Sequence, residues 1–420
     1  MPARGTTIRD VSRANRSRVL RELYFHGPSS RPRLSRDTGL SPATIANIVG
    51  ELAAEGIVLE AGVDESQVGR PSAILKVDPD YGSFIGVALG ETHMQIELFD
   101  ATLAKSAAVV YPLDAAQNEP STVVDLVVRG VREVQTAAGV SDDDVLGIGI
   151  GMPGIVERSR EVRVHIPGWG WRETPIMAML AEQLTLPIFI DNGAQALAQG
   201  EMWFGAGRGF NHLAVLLIGT GVGAGIIVDG AVYRGATNSA GECGHTVIER
   251  GGRLCRCGRR GCLEAYVGAT GIIRRYQEAV PGSPLVDPAD ELRTIAALLE
   301  AANHDGGAAA AVLDETAEVL GEGIADLVNA FNPEVVVLGG WVSVRLGGYM
   351  LPKIKRVVED SALAAPRRAT RVVLGQLHDD AVAMGAATLA VEVFFANAGR
   401  LRTRSGRATG AVMLNYEATT

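Results

Sequence analysis

The first fifty residues place hydrophobic side chains at helical spacing. In NRSRVLRELYF this spacing predicts an amphipathic helix with four inward residues, Val19, Leu20, Leu23 and Tyr24. HGPSS breaks the pattern, and PRLSRDTG then fits a short second helix that ends at Gly39. In SPATIANIVGELAAEG, Ser41 is a suitable N-cap and Pro42 suits the first helical position. These helices predict a helix-turn-helix.

The next segment predicts two strands around a polar loop. GIVLEAGVDESQVGRPSAILKVDP has this pattern, which is typical of the wing of a winged helix. We therefore expect residues 1–80 to form a winged helix-turn-helix that binds DNA. The alternative interpretation is an ordinary small helical hairpin with a solvated basic arm.

From Ser83 onward, buried strands alternate with amphipathic helices. FIGVALGETHMQIELFD predicts a strand, a turn and a second strand, and HLAVLLIGTGVGAGIIVDGAVYRG repeats this opening from residue 212. The pattern predicts an α/β body with an actin-like (ribonuclease H-like), two-lobed fold and a ligand cleft between the lobes. We expect a first lobe over residues 83–197 plus a C-terminal helix at about 378–397. The second lobe would cover residues 198–377, and residues 398–420 would form a tail.

Charge is distributed unevenly along the 420 residues. The net charge is −9, yet residues 1–36 hold nine Arg against two acidic residues. A basic terminus on an acidic chain favours a terminal module that faces an anion. No apolar run approaches the roughly 20 residues that span a bilayer, and the N-terminus does not resemble a secretory signal. We expect a cytoplasmic protein that does not bind membranes.

Small polar side chains mark the predicted recognition helix. Side chains of this kind can approach phosphates and base edges closely, and Asn pairs bidentately with adenine. The segment Gly69-Arg70-Pro71 presents one Arg on a stiff loop, which suits a narrow minor groove. The candidate DNA-binding residues are Arg33, Ser41, Ala43, Thr44, Asn47 and Arg70.

All four cysteines lie within twenty residues. Cys255, Cys257 and Cys262 have the spacing C-x-C-x4-C, and His245 lies ten residues upstream of the first of them. Three thiolates and an imidazole fill a tetrahedral shell, so we predict a closed, structural Zn²⁺ site. We interpret Cys243 as a small buried hydrophobe.

The chain resembles the ROK family of sugar kinases and sugar-responsive repressors. The most specific segment is AGECGHTVIERGGRLCRCGRRGCLEAY, and the helix-turn-helix with its TGLS and GRP elements resembles the repressor branch. The resemblance implies that zinc braces the loop carrying Glu242 and His245 into a sugar pocket. It also implies a ligand-binding set made of Gly154, Asn192, Glu242, His245 and Glu264. Asn192 and Glu264 also fit plain helix-capping roles.

Compared with the kinases of that family, three of four catalytic elements are changed. Ala88 and Glu91 lie in the first phosphate loop, where the family pattern provides a magnesium ligand and glycine. Trp341 follows Gly340 in the adenosine loop, and Gly193 replaces the catalytic carboxylate. The second phosphate loop, residues 219–225, is intact. The chain is therefore expected not to be an enzyme.

We predict a transcriptional regulator that represses carbohydrate uptake or metabolism genes. It would act as a homodimer, or a dimer of dimers, on a palindromic operator. Gly193 and His165 both depart from the family pattern, so the ligand is open between an unusual sugar, a sugar phosphate and none. Two alternatives remain: a sugar kinase with a DNA-binding appendage, or a regulator whose body senses a protein partner or nothing.

Overall fold

The computed structural model describes residues 7–64, 72–113, 118–158, 162–304 and 306–400. The N-terminal unit runs α1 (Ile8–His26), β1 (Ser29–Ser30), α2 (Arg31–Thr38), α3 (Pro42–Ala54), β2 (Val58–Asp64) and β3 (Ser72–Val77). Its three strands pair antiparallel in the order β1-β3-β2. Helix α1 begins seven residues before the predicted start because Thr7 and Asp10 form a capping box there. We call this unit the head.

The first lobe is built on a five-stranded sheet in the order β11-β7-β4-β5-β6. Its strands are β4 (Ser83–Leu89), β5 (His93–Asp100), β6 (Lys105–Pro112), β7 (Val145–Met152) and β11 (Ile188–Asn192). Helices α4 (Pro120–Ala138) and α5 (Ile176–Gln183) cover it, and β8 (Ile155–Arg158), β9 (Val162–Ile166) and β10 (Trp171–Thr174) form a small antiparallel sheet beside it.

The second lobe has a sheet of the same size in the order β14-β13-β12-β15-β16. Its strands are β12 (Leu213–Ile218), β13 (Val222–Val228), β14 (Ala231–Tyr233), β15 (Val335–Gly339) and β16 (Arg371–Leu374). Its helices are α7 (Glu264–Val267), α8 (Ala269–Ala279), α9 (Glu291–His304), α10 (Gly307–Phe331), α11 (Trp341–Ser361) and α12 (Ala364–Ala369). Both sheets begin with an antiparallel hairpin, β4–β5 and β12–β13, as the repeated sequence pattern predicted.

Two helices cross where the lobes meet, α6 (Gly193–Phe204) and α13 (Ala381–Ala396). Two glycines permit their close approach. A Cβ on Gly200 would lie 3.0 Å from the Cα of Gly385, and a Cβ on Gly385 would lie 2.0 Å from the carbonyl oxygen of Ala196. Any larger residue at position 385 would therefore force the two helices apart.

The head shares a hydrophobic core with the body. Val19, Leu20 and Leu23 of α1 pack in one cluster with Phe394 and Phe395 of α13. Tyr24, Phe25, Trp203, Phe204 and Phe395 form a group of edge-on and tilted aromatic rings that we call the aromatic junction. Neighbouring ring centroids in it are 4.9–6.3 Å apart. Head and body are thus joined by packed surface, because edge-on aromatic contacts add to ordinary burial.

Arg16 is a second connection between the head and the body. Its guanidinium is buried and donates from Nε to the carbonyl oxygen of Ala398 at 2.7 Å. It also pairs with Glu51 of α3 and with Glu55, the C-cap of that helix. Arg400 also pairs with Glu55 at 2.7 Å. Two of the first three residues of the predicted tail therefore contact the head: Ala398 at α1 and Arg400 at the C-cap of α3. None of the helices that the described ranges contain is both long and apolar enough to cross a membrane.

Candidate functional site

A cavity of about 230 Å³ lies between the two lobes. The carboxyl ends of β4, β7 and β11 and the start of α6 line it from the first lobe, as expected for a ligand site in an α/β fold. The loop 219–223, the start of α11 and the cysteine-rich loop line it from the second. All five predicted ligand-binding residues lie in this cleft: Gly154, Asn192, Glu242, His245 and Glu264. His165 is half-buried on β9 and is not among the residues that line it.

Asn192 connects the start of α6 to the turn that follows the neighbouring strand β7. Its Oδ1 accepts from the backbone N–H of Ala194 at 2.8 Å and of Gln195 at 3.3 Å, so it is the N-cap of α6. Its Nδ2 donates to the carbonyl oxygen of Gly154 at 2.7 Å. Gly154 has φ +74°, and a Cβ there would lie 2.3 Å from the carbonyl oxygen of His165, so this turn requires glycine. The amide side chain thus fixes this turn through one of its two N–H groups.

The first residue of α6, Gly193, provides no carboxylate to the cleft. The neighbouring Asp191 cannot replace it, because its side chain is fully buried and committed elsewhere. Asp191 accepts from Asn238 Nδ2 at 2.9 Å and pairs with Arg234 at 3.1 Å. Asp191 therefore holds the loop after β14 and is not available as a general base.

Two glutamates enter the cleft from the second lobe. Burial raises the pKa of Glu242, with His245 opposing the shift and Glu264 adding to it. Glu264 is the first residue of α7, and its Oε2 accepts from the backbone N–H of Val222 at 3.0 Å. Glu264 thus ties the cysteine-rich loop to the second phosphate loop.

The four predicted metal ligands lie together. One donor atom each from His245, Cys255, Cys257 and Cys262 fits within a mutual distance of 4.8 Å. The Sγ atoms of Cys257 and Cys262 are 3.8 Å apart, and Nδ1 of His245 is 3.7 Å from Sγ of Cys255. Ligands at Zn–S and Zn–N distances on a tetrahedron are separated by roughly 3.5–3.8 Å, so the donor set fits this ion. Cys243 is buried in the core of the second lobe, outside the cluster, as predicted.

The exposed face of α3 is the candidate DNA surface. Ser41 is its N-cap: its Oγ accepts from the Thr44 backbone N–H at 3.2 Å and lies 2.9 Å from Thr44 Oγ1. Ala43 and Asn47 are exposed on the same helix, and Arg33 is exposed on α2 with a contact to Asp37. Arg70 lies outside the described residues. Five of the six predicted DNA-binding residues are thus placed on one helical pair.

Two charged residues have roles that sequence reasoning missed. Arg16 is one of the nine Arg of the basic N-terminus, yet its guanidinium contacts Glu51, Glu55 and a backbone carbonyl oxygen within the protein. Arg256, which lies between two of the metal ligands, pairs with Glu91 of the opposite lobe at 2.6 Å. No local sequence pattern identifies either pairing, because each joins segments far apart in the chain.

Comparison with known proteins identifies the class of this architecture. The family model described as "ROK family" matches residues 84–393. The chain belongs to the ROK family, as its cysteine-rich segment and two-lobed body predicted.

Individual relatives differ in which part of the chain they match. The xylose repressor of Caldicellulosiruptor bescii is 32% identical over 91% of this chain and 96% of its own. A glucokinase of Halalkalibacterium halodurans is 39% identical over 58% of this chain and 76% of its own. The solved structure of a ROK family transcriptional regulator, a homologue of the Escherichia coli MLC protein, has a TM-score of 0.77 and 26% identity, covering 92% of this chain and 98% of that one.

Proposed function

We propose that this chain is a DNA-binding transcriptional repressor of carbohydrate uptake or metabolism genes, whose two-lobed body senses a sugar without phosphorylating it. The observation that carries the proposal is the helix α6. This helix begins in the cleft at Gly193, the position at which a kinase of the family has its catalytic base. Its other end lies in the aromatic junction that joins the head to the body. The repressor relative that matches head and body together supports the same conclusion.

Phosphoryl transfer to a sugar needs a base within hydrogen-bond reach of the acceptor hydroxyl. Gly193 cannot supply one, and Asp191 is buried among its own partners. Ala88 also has no oxygen for Mg²⁺, which takes carboxylate and phosphate oxygens. The cleft therefore retains groups that bind hydroxyls, such as the Asn192 amide and the Glu242 carboxylate, and lacks those that transfer phosphate.

We also propose that the cysteine cluster holds a structural Zn²⁺ ion. His245 and the three thiolates would complete its coordination, leaving no open position for catalysis. When bound, the ion would cross-link a loop that is rich in glycine and short of hydrophobic contacts. His245 would then be oriented so that its other ring nitrogen faces the cleft, as is typical of metal-bound imidazoles.

Ligand binding would reach the head through α6 and α13. Both helices run from the cleft to the head: α13 follows the cleft residue Asp379, and its C-terminal end supplies Phe395 and the Ala398 carbonyl that Arg16 binds. A ligand can shift this equilibrium only if it binds the DNA-competent and DNA-incompetent arrangements with different affinity. Closure of the lobes around a sugar would change the angle between these helices and so the position of α3.

We propose that two copies bind a palindromic operator. Asn47, Thr44, Ser41 and Ala43 would enter the major groove, with Arg33 near the backbone and Arg70 in a flanking minor groove. A homodimer or a dimer of dimers supplies the two heads that such an operator needs.

The decisive experiment recovers genomic fragments bound by the full chain and measures their release by sugars in a mobility-shift assay. We expect fragments upstream of transport or catabolic genes, released by one monosaccharide. Recovery of random fragments only would contradict the proposal. Asn47→Ala should weaken binding by roughly tenfold, while Glu322→Gln, on the exposed side of α10 in the second lobe, should leave it unchanged.

The glucokinase relative favours a second candidate, a sugar kinase with a DNA-binding appendage. An ATP-dependent phosphorylation assay over a panel of monosaccharides separates the two, with that glucokinase as the positive control. We expect no turnover above the background of a heat-inactivated sample. Turnover of any sugar would replace the first proposal by the second.

A further inference from the structure

An ion pair crosses the cleft between the two lobes. Glu91 lies in the turn between β4 and β5, and its Oε2 accepts from Arg256 Nη1 at 2.6 Å. Arg256 Nε also lies 3.6 Å from Oε1 of Glu264. The Arg256 side chain is 35% exposed and that of Glu91 is 21% exposed, so the pair is partly shielded from water. A contact of this kind holds the lobes together without any ligand.

The pair lies between the two phosphate loops. Glu91 belongs to the first loop, and a Cβ on Gly221 of the second would come within 2.9 Å of Arg256 Nη2. The guanidinium therefore rests on the second loop while its partner carboxylate comes from the first. These are the two segments that bracket phosphates in the kinases of this family.

The second phosphate loop has an intact sequence, but three of its hydrogen-bond donors already have partners within the protein. The Val222 N–H donates to Glu264, and the Thr220 hydroxyl donates to Glu291 at 2.8 Å. The Gly219 N–H donates within the loop, to the carbonyl oxygen of Gly221 at 2.9 Å. A phosphate would have to displace two carboxylates to reach these donors.

Trp341, in the segment that resembles the adenosine loop of the kinases, also packs on the second phosphate loop. The indole of Trp341 lies against the backbone of Gly219, where an added Cβ would be 3.0 Å from its Nε1. Arg345 donates to the Trp341 carbonyl oxygen at 3.2 Å and its guanidinium lies 5.7 Å from the indole centroid. The indole therefore contacts both the second phosphate loop and the Arg345 guanidinium.

The charges that line the cleft disfavour an anion. Four carboxylates line the cavity, Glu91, Glu242, Glu264 and Asp379, and Arg256 is the one Arg or Lys among the described residues that line it. The other groups of the lining that can carry a positive charge are imidazoles, His93, His245 and His378. Like charges at contact distance repel in a partly desolvated site. A phosphate ester would add up to two more negative charges to this cleft.

We propose that the Glu91–Arg256 pair takes the place of nucleotide phosphates as the link between the lobes, and that the cleft consequently accepts an uncharged monosaccharide and rejects its phosphate ester. The link between the lobes does not depend on any ligand. The statement about the ligand rests on the proposed function, because it assumes that the cleft binds a sugar.

The pair is tested by amide hydrogen exchange on the full chain without ligand. Glu91→Gln and Arg256→Gln should each raise the exchange rate about fivefold in peptides of both loops, around residues 89–93 and 219–223. In the double variant the exchange rate should be no higher than in the single variant with the larger increase. Arg259→Gln, an exposed change on the same cysteine-rich loop, should leave both peptides unchanged, and all variants should keep the metal content of the wild type. The proposed link would be wrong if exchange rose only in the loop that carries the substitution. It would also be wrong if the effects of the two single variants added in the double variant.

The ligand class is tested by calorimetry with xylose, glucose and N-acetylglucosamine, each beside its phosphate ester. We expect one free sugar to bind at least about tenfold more tightly than its phosphate ester. Glu91→Gln should reduce this difference in affinity, because it removes one of the four carboxylates that line the cleft. Equal or tighter binding of an ester by the wild type would refute the ligand assignment. If no sugar or ester binds, the proposed sensing role fails, while hydrogen exchange still decides whether the pair links the lobes.

Discussion

The helices α6 and α13 have contrasting surroundings at their two ends. At the cleft, α6 begins at Gly193 beside Asn192, and α13 begins beside Asp379 and Asp380, so both starts are polar and partly open. At the head, the same helices end in aromatic rings that are mostly buried. The polar end can exchange its hydrogen bonds with a ligand at little cost, whereas the aromatic end can change only by moving packed surfaces.

This contrast suggests that the two ends of these helices have different roles. Hydrogen-bonding groups at the cleft would distinguish ligands, and close packing at the junction would carry a displacement to the head, since packed interiors transmit strain. A variant at one end should therefore disturb a different property from a variant at the other.

Loss of the metal site should have the largest effect, and it should be confined to the cleft end. In Cys257→Ser the segment 243–266 should lose about 5 kcal/mol or more of local stability, because structural zinc sites supply much of the folding energy of small loops. Hydrogen exchange and metal analysis measure this. Cys243→Ala, which removes a thiol outside the cluster, should retain the metal. Equal loss of protection in α1 would contradict the separation of the two ends.

Phe395→Ala should damage the head end. The ring is fully buried, with its centroid 5.0 Å from that of Tyr24 and 5.8 Å from that of Phe25, so its removal should cost about 3–4 kcal/mol. Chemical denaturation gives the loss, and hydrogen exchange should show it in α1. Leu298→Ala, equally buried in the second lobe, is the matched control and should raise exchange around α9 instead. Unchanged exchange in α1 of the Phe395 variant would show that the junction does not hold the head.

Arg16→Gln should loosen the recognition helix from the C-terminal end of the body. The substitution removes the partner of the Ala398 carbonyl and of Glu51 and leaves Glu55 with Arg400 alone, so we expect a loss of about 2 kcal/mol. Denaturation measures that loss, and operator affinity should fall because the position of α3 is less defined. Arg13→Gln removes an equal charge from an exposed side chain of the same helix. If both variants weaken operator binding equally, Arg16 acts only through its charge.

Much of the fold follows from local pattern. The inward residues of α1 and α3 and the strands of both hairpins lie where periodicity predicts them, because these elements bury one face. Strand β6 was missed, although Ala107, Val109 and Tyr111 alternate with more exposed neighbours in a period of two. The metal cluster was predictable because its ligands lie close in sequence.

The contacts between distant segments were not predictable in this way. The aromatic junction combines residues from three stretches, near positions 24, 203 and 395, and each stretch alone reads as the end of an ordinary amphipathic helix. The Glu91–Arg256 pair joins residues 165 positions apart. From sequence, Glu91 predicts only repulsion of phosphate, because its cationic partner is visible only after the lobes have folded against each other.

The smallest expected effect concerns pH at the cleft end. Burial raises the pKa of Glu97 on β5 to about 7, and its hydrogen bond with Asp380 adds to the shift, while Lys105 and Gln95 oppose it. A carboxyl whose pKa is higher in the folded than in the unfolded state stabilises the fold at low pH and loses that contribution as pH rises through the folded value. The wild type should therefore become less stable by about 2 kcal/mol between pH 5 and 8 relative to Glu97→Gln.

Denaturation of both proteins across this pH range measures the difference. Glu133→Gln, an exposed change on α4, is the control and should follow the wild type. Parallel curves for Glu97→Gln and the wild type would show that Glu97 does not titrate between these pH values. The free energy of unfolding should vary with pH in the wild type and in Glu133→Gln, but not in Glu97→Gln. Because Asp380 directly precedes α13, this result would mean that protonation of Glu97 stabilises the start of that helix.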